Sequence, residues 1–216
     1  QQSLAAGISP SAVEVGSLDP GDVPDVAVPC KGSNHVAIFL GKGGGALAEA
    51  RILPTIEKPK GAALGGWDGD GLTDLAVISD TRVVVHFGKP DGELEPPIEV
   101  ATDAAKLFTG VAAGDLNGDS LIDLVVSESR GLSVLLFPGK NLRELAAPVA
   151  IKLNSAPTGL VLADLNGDGR LDITTTSSSG RSASVLIQEE SLDFRALVYG
   201  LGIVPVGHGV ADLDLD

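Results

Sequence analysis

Short runs of Val, Ile, Leu and Ala recur along the whole chain, separated by clusters of Gly, Pro, Asn, Asp and Ser. In one stretch they fall at residues 109–116, 123–128, 132–138 and 147–153. In the next they fall at 158–165, 172–177, 182–189 and 194–200. Short apolar runs bounded by turn formers read as strands. No stretch sustains a helical period with caps, so few helices are expected.

The runs belong to a longer period. Gly114-Asp-Leu-Asn-Gly-Asp-Ser-Leu-Ile-Asp123-Leu-Val-Val126 is answered by Ala163-Asp-Leu-Asn-Gly-Asp-Gly-Arg-Leu-Asp172-Ile-Thr-Thr175. Weaker copies run from Gly66 to Val77 and from Ser17 to Val28, and a fifth opens at Ala211-Asp-Leu-Asp-Leu-Asp216. The last aspartate of each full copy stands at 25, 74, 123 and 172, so every step is 49 residues. Four strands in a period of this length describe a β-propeller blade; β-helix coils are shorter, and a sandwich has no reason to repeat at a fixed step. The expected fold is therefore all-β, a propeller of four-stranded antiparallel blades at approximately 11–59, 60–108, 109–157 and 158–203, with a fifth starting over 204–216.

The phrase of a small residue, Val-Ala, Gly-Asp-x-Asn-Gly-Asp, then Asp-Leu-x-Val and x-Val-x-Val-Leu-x-Gly resembles the VCBS/FG-GAP repeat of integrin α-subunit propellers and many secreted bacterial proteins. It includes Ser33-Asn-His-Val-Ala-Ile-Phe-Leu-Gly41 and Leu132-Ser-Val-Leu-Leu-Phe-Pro-Gly139. The resemblance implies a ring of about seven blades. Four blades and one strand then predict a fragment, or a ring completed by a missing segment or another chain, because an unpaired sheet edge invites association.

The acidic phrase has the spacing of a calcium loop. Calcium takes six to eight oxygen ligands. A short loop supplies them from alternate positions, a backbone carbonyl and a later carboxylate, with Gly permitting the turn. The third repeat offers Asp115, Asn117, Asp119, the Leu121 carbonyl and Asp123; the fourth offers Asp164, Asn166, Asp168, the Arg170 carbonyl and Asp172. The resemblance implies the same positions. Simple acidic turns are the bland alternative, but crowded carboxylates repel one another, and a cation relieves that. Magnesium suits the loops less, since it demands a rigid octahedron with several waters. In the second repeat Gly66 replaces the first ligand, and Asp68, Asp70 and Asp74 leave weak calcium binding and no metal as alternatives. In the first, Pro20 and Pro24 disturb Asp19, Asp22 and Asp25, which read as a turn. Asp212, Asp214 and Asp216 read as half a site. Two calcium ions are thus expected, with one or two more in the weaker loops; together they would offset roughly four to eight negative charges.

The formal net charge is −14, which argues against a nucleic-acid partner. No apolar run approaches the length of a membrane span. One cysteine, Cys30, excludes an intrachain disulfide, and its place at the end of a strand reads as a packed thiol. A chain that opens Gln-Gln and contains no Met predicts an exported protein freed of its signal, or a piece of a longer one. The expected location is secreted, periplasmic or cell-surface. His35, His86 and His208 belong to no catalytic motif, and the paired acids are accounted for by metal, so no enzyme is expected. Trp67 is expected to pack between blades. Binding falls to the loops between second and third strands (30–34, 79–82, 127–131, 177–182) and between blades (55–61, 102–109, 153–158). The expected role is a protein-interaction or adhesion platform; a glycan-binding module and a structural subunit of a larger complex are the alternatives.

Overall fold

The computed structural model describes residues 3–140, 143–190 and 192–211. Every regular element among them is a strand, and the sixteen principal strands form four antiparallel sheets. Blade one comprises Glu14–Gly16, Asp25–Cys30, His35–Phe39 and Arg51–Pro54. Blade two comprises Gly61–Gly65, Asp74–Ile78, Arg82–His86 and Ile98–Thr102. Blade three comprises Phe108–Gly114, Asp123–Glu128, Ser133–Phe137 and Val149–Lys152. Blade four comprises Val161–Ala163, Asp172–Ser177, Ser182–Glu190 and Asp193–Gly200. Each sheet is a meander in chain order. The first strands of successive blades lie against one another, which sets them on the inner side of the arc.

Alternation along the middle strands builds the core. Leu124 and Val126 face blade two, where they meet Ala76, Ile78 and Phe87. Val125, between them, faces blade four and meets Ile173 and Leu186. Side chains of a strand alternate between faces, so a sheet packed on both sides reads as a continuous apolar run. This is why the second and third strands of the first three blades are dominated by Val, Leu, Ile and Ala. Trp67 lies in the core between blades two and three and is 3% exposed, as expected. Cys30 is a buried free thiol whose pKa burial pushes up.

Two strands differ from expectation. The first strand of blade four covers only Val161–Ala163, with three residue pairs; before it the Thr175 hydroxyl donates to the Gly159 carbonyl at 2.6 Å. The fifth run forms no strand through residue 211; instead His208 Nε2 lies 3.1 Å from Thr174 Oγ1, and Ser178 Oγ donates to the Pro205 carbonyl. Asp212, Asp214 and Asp216 lie outside the described residues.

The glycine that follows the third strand in blades one to three has a steric cause. A Cβ on Gly41 or Gly139 would collide with the carbonyl of Pro24 or Ile122, the residue just before the last aspartate of the acidic phrase, and Gly88 stands against Thr73 in the same way. Gly118, inside the acidic turn, faces open space but holds φ at +75°, where only glycine is unstrained. Gly139→Ala should therefore lower unfolding free energy by about 3 kcal/mol, against about 1 kcal/mol for Gly118→Ala, as read by urea denaturation. Equal losses would contradict the close-approach explanation.

Candidate functional site

The acidic turns join the first and second strands, at one end of every blade. In the third repeat Asp115 sits at the turn's start and accepts hydrogen bonds from the backbone N–H of Gly118 (2.8 Å) and Ser120 (2.8 Å). Asn117 Oδ1 accepts from the Asp119 N–H, Asp119 Oδ1 accepts from the Leu121 N–H, and the Asn117 amide donates to Asp119 Oδ2 at 2.9 Å. The fourth repeat repeats this pattern. Asp164 accepts from Gly167 and Gly169, Asp168 accepts from Arg170, and the Asn166 amide donates to Asp168. Those backbone bonds, led by the one from Gly169, lower the pKa of Asp164. Backbone amides thus supply part of the positive potential that crowded carboxylates require.

The last aspartate of the phrase plays a different part. Asp123 is fully buried; its Oδ2 accepts from the Leu116 N–H at 2.9 Å and its Oδ1 from the Gly139 N–H at 2.8 Å. Asp25 bridges Leu18 and Gly41, Asp74 bridges Trp67 and Gly88, and Asp172 bridges Leu165 and Gln188. In every blade one carboxylate ties the entrance of the acidic turn to the exit of the third strand. The clamp persists in the first repeat, where the rest of the phrase has decayed. Burial raises the pKa of Asp123 and drives that of Asp74 to about 6, with Asp68 and Asp70 adding repulsion at Asp74.

The structure brings Asp115, Asn117 and Asp119 onto one turn with Asp123 beneath it, and places Asp164, Asn166, Asp168 and Asp172 likewise. The donors are carboxylates, an amide and the carbonyls of Leu121 and Arg170, all hard oxygens of the kind calcium takes. Among the described residues, no three acidic, histidine or cysteine side chains stand close enough together to hold a metal ion. The fit to calcium is therefore one of donor chemistry and turn shape.

The second repeat has found another cation. Arg143, from the connection between the third and fourth strands of blade three, reaches across the blade junction. Its Nε lies 3.0 Å from Asp68 Oδ2, its Nη1 lies 2.8 Å from Glu95 Oε2, and its guanidinium stacks over Phe87 at 4.6 Å. Nothing in the sequence pattern announces this contact, since the partners are 75 residues apart. In the fourth repeat Arg170 pairs with Asp168 of its own turn.

The histidines serve the fold. His86 is buried between the Thr55 hydroxyl and the Glu95 carbonyl, and His35 reaches the Ala6 carbonyl. The Gly41–Gly45 segment forms a hairpin turn, with positive φ at Gly43, Gly44 and Gly45. Beside Arg143 a cleft of about 290 Å³ opens between blades two and three, lined by Trp67, Phe87 and Phe137.

Comparison with known proteins matches this arrangement to β-propellers. The structure of BBS1N in complex with ARL6DN, soaked with lead, superposes with a TM-score of 0.64 at 18% identity, over 94% of this chain and 60% of that one. An Agrocybe aegerita lectin, solved for its recognition of non-reducing terminal N-acetylglucosamine, superposes with a TM-score of 0.56 at 14% identity, over 88% of this chain and 52% of the lectin. The chain thus spans between half and two thirds of the length of these propellers. No curated protein matches it in sequence. The FG-GAP-like repeat matches residues 66–126 and 115–175, more than half of the chain, and the protein belongs to that family.

The raised pKa of Asp74 fixes a pH dependence. The fold favours its protonated form, so its contribution is full below the ordinary value near 3.8 and is lost as pH rises through about 6. In chelator, the stability difference between wild type and Asp74→Asn should shrink by about 2 kcal/mol between pH 4 and pH 7, allowing for solvent screening. A pH-independent difference in urea midpoints would contradict the assignment.

Proposed function

We propose that the chain is a non-catalytic, calcium-stapled propeller that presents a rigid surface to a protein partner, as an interaction or adhesion platform at the cell surface, in the periplasm or outside the cell. The observation that carries the reading is the division of labour within each blade. The clamp and the core fix the turns, and the turns at both ends are left as a solvated surface. BBS1N, a propeller of similar fold, was solved bound to another protein, ARL6DN. Carbohydrate recognition is the second reading, favoured by the lectin of similar fold. Isolation of the cross-linked native particle and a glycan array separate the two. A stoichiometric protein partner and a silent array support the platform; strong array signals with no protein partner overturn it.

In this reading calcium occupies the third and fourth turns, held by Asp115, Asn117, Asp119, the Leu121 carbonyl and Asp123, and by Asp164, Asn166, Asp168, the Arg170 carbonyl and Asp172. Coordination there replaces the internal hydrogen bonds of Asp115 and Asp164. In the second repeat, Asp68 is already neutralised by Arg143, which favours the metal-free alternative for Asp68, Asp70 and Asp74. Ions that bind only the folded state raise the melting temperature. Millimolar calcium should therefore raise Tm by roughly 5–10 °C over the chelated protein. The double variant Asp115→Asn, Asp164→Asn, which spares the buried clamp, should abolish the rise. An identical Tm with calcium and with chelator rules the staple out.

A further inference from the structure

The two ends of the blades carry opposite charge. The acidic turns and the connections between third and fourth strands hold most of the described carboxylates, including the predicted metal ligands of the second, third and fourth repeats. The opposite rim is built from the turns between second and third strands and the links between blades, and it carries few acids. Glu57 stands exposed beside Lys58, and the others are spent internally. Asp80 is paired with Lys60 at 2.6 Å, Asp103 accepts from the Ala105 N–H, and Glu128 is buried, accepting from the N–H groups of Gly131 and Leu107. Lys60 first, then Lys31 and Lys58, hold Asp80 below the usual carboxylate range, so these three cations share one neighbourhood. Arg130 is fixed by the carbonyls of Ala104 and Lys106. Lys31, Lys58, Lys106 and Arg181 enter no ion pair among the described residues. They are spread from blade one to blade four. A chain of net charge −14 therefore keeps one rim with a surplus of positive charge.

We propose that this rim docks an acidic protein surface. The inference rests on the platform reading and adds which rim is used and the chemistry of the partner. Two features select a protein over a sulfated glycan, a lipid headgroup or a nucleic acid. Exposed aliphatic side chains stand among the cations. Ile8 (68% exposed) is backbone-bonded to Gly32 beside Lys31, Leu132 shares a turn with Arg130, and Leu201 is backbone-bonded to Arg181. Carboxylates with apolar neighbours complement such a mixture, whereas a purely polar polyanion leaves the aliphatic groups in water. The turn amides are also occupied: Ser33 N–H by the Cys30 carbonyl, Gly131 N–H by Glu128 and Gly180 N–H by the Ser177 hydroxyl. The rim therefore offers no ring of free N–H groups to cradle sulfate or phosphate.

The test uses the full chain and three defined probes at low salt: fluorescent poly-L-glutamate, heparin and phosphatidylserine vesicles. The expected result is binding to poly-L-glutamate that weakens as salt rises, falls at least about tenfold in the variant Lys31→Glu, Lys58→Glu, Lys106→Glu, Arg181→Glu, and is unchanged in Lys42→Glu on the opposite rim. If the fourfold variant does not fold, the pair Lys31→Gln, Lys58→Gln should show a smaller loss in the same direction. Absence of poly-L-glutamate binding, binding indifferent to these substitutions, or tighter binding to heparin or vesicles overturns the proposal. A protein partner isolated with the native particle that binds the fourfold variant as well as wild type preserves the platform and overturns this rim alone.

Discussion

A buried carboxylate that bridges two backbone N–H groups holds each blade at its most difficult point. Between the first and third strands the chain must make a tight acidic turn, enter the core strand and return beside the turn's entrance. On that path two backbone N–H groups need an acceptor. Asp25, Asp74, Asp123 and Asp172 each satisfy such a pair. Hydrogen bonds to a charged group contribute roughly 1.5–3 kcal/mol each, set against the cost of burying the charge. At Asp74 desolvation, helped by the neighbouring Asp68 and Asp70, has raised the pKa to about 6.

The clamp also shapes what surrounds it. By drawing the third strand's exit against the residue before the aspartate, it leaves no space for a side chain at Gly41, Gly88 or Gly139. Blade four shows the consequence of relaxing this. Gln188 stands at the clamped position, its side-chain amide bonds the Leu116 carbonyl of blade three, and the third strand runs on to Glu190 before a short turn into Asp193–Gly200. The same asymmetry gathers the acids at one end of every blade and leaves the other end free to carry cations.

Much of this was legible in the sequence because it is periodic. The 49-residue step, the strand runs and the inter-blade place of Trp67 follow from repetition and from alternation on two buried faces. The last aspartate was legible as a position and misjudged in emphasis. Spacing alone identifies a ligand set, while its two backbone partners become visible only when the third strand folds back. The first repeat shows this best, for the sequence around Asp25 reads as a turn, and in the fold Asp25 is a buried clamp. Arg143 was illegible, since its partners Asp68 and Glu95 belong to another blade. The cationic rim was hidden by the overall charge of −14, because Lys31 and Lys58 come together at Asp80 only after the sheets stack.

Amide hydrogen exchange of Asp123→Ala in chelator reads the clamp most directly, with the ladder amides of Val125 and Leu135 as internal references. The account predicts that the Leu116 and Gly139 amides together exchange at least about tenfold faster relative to those references than in wild type. Unaltered protection at both amides would contradict it.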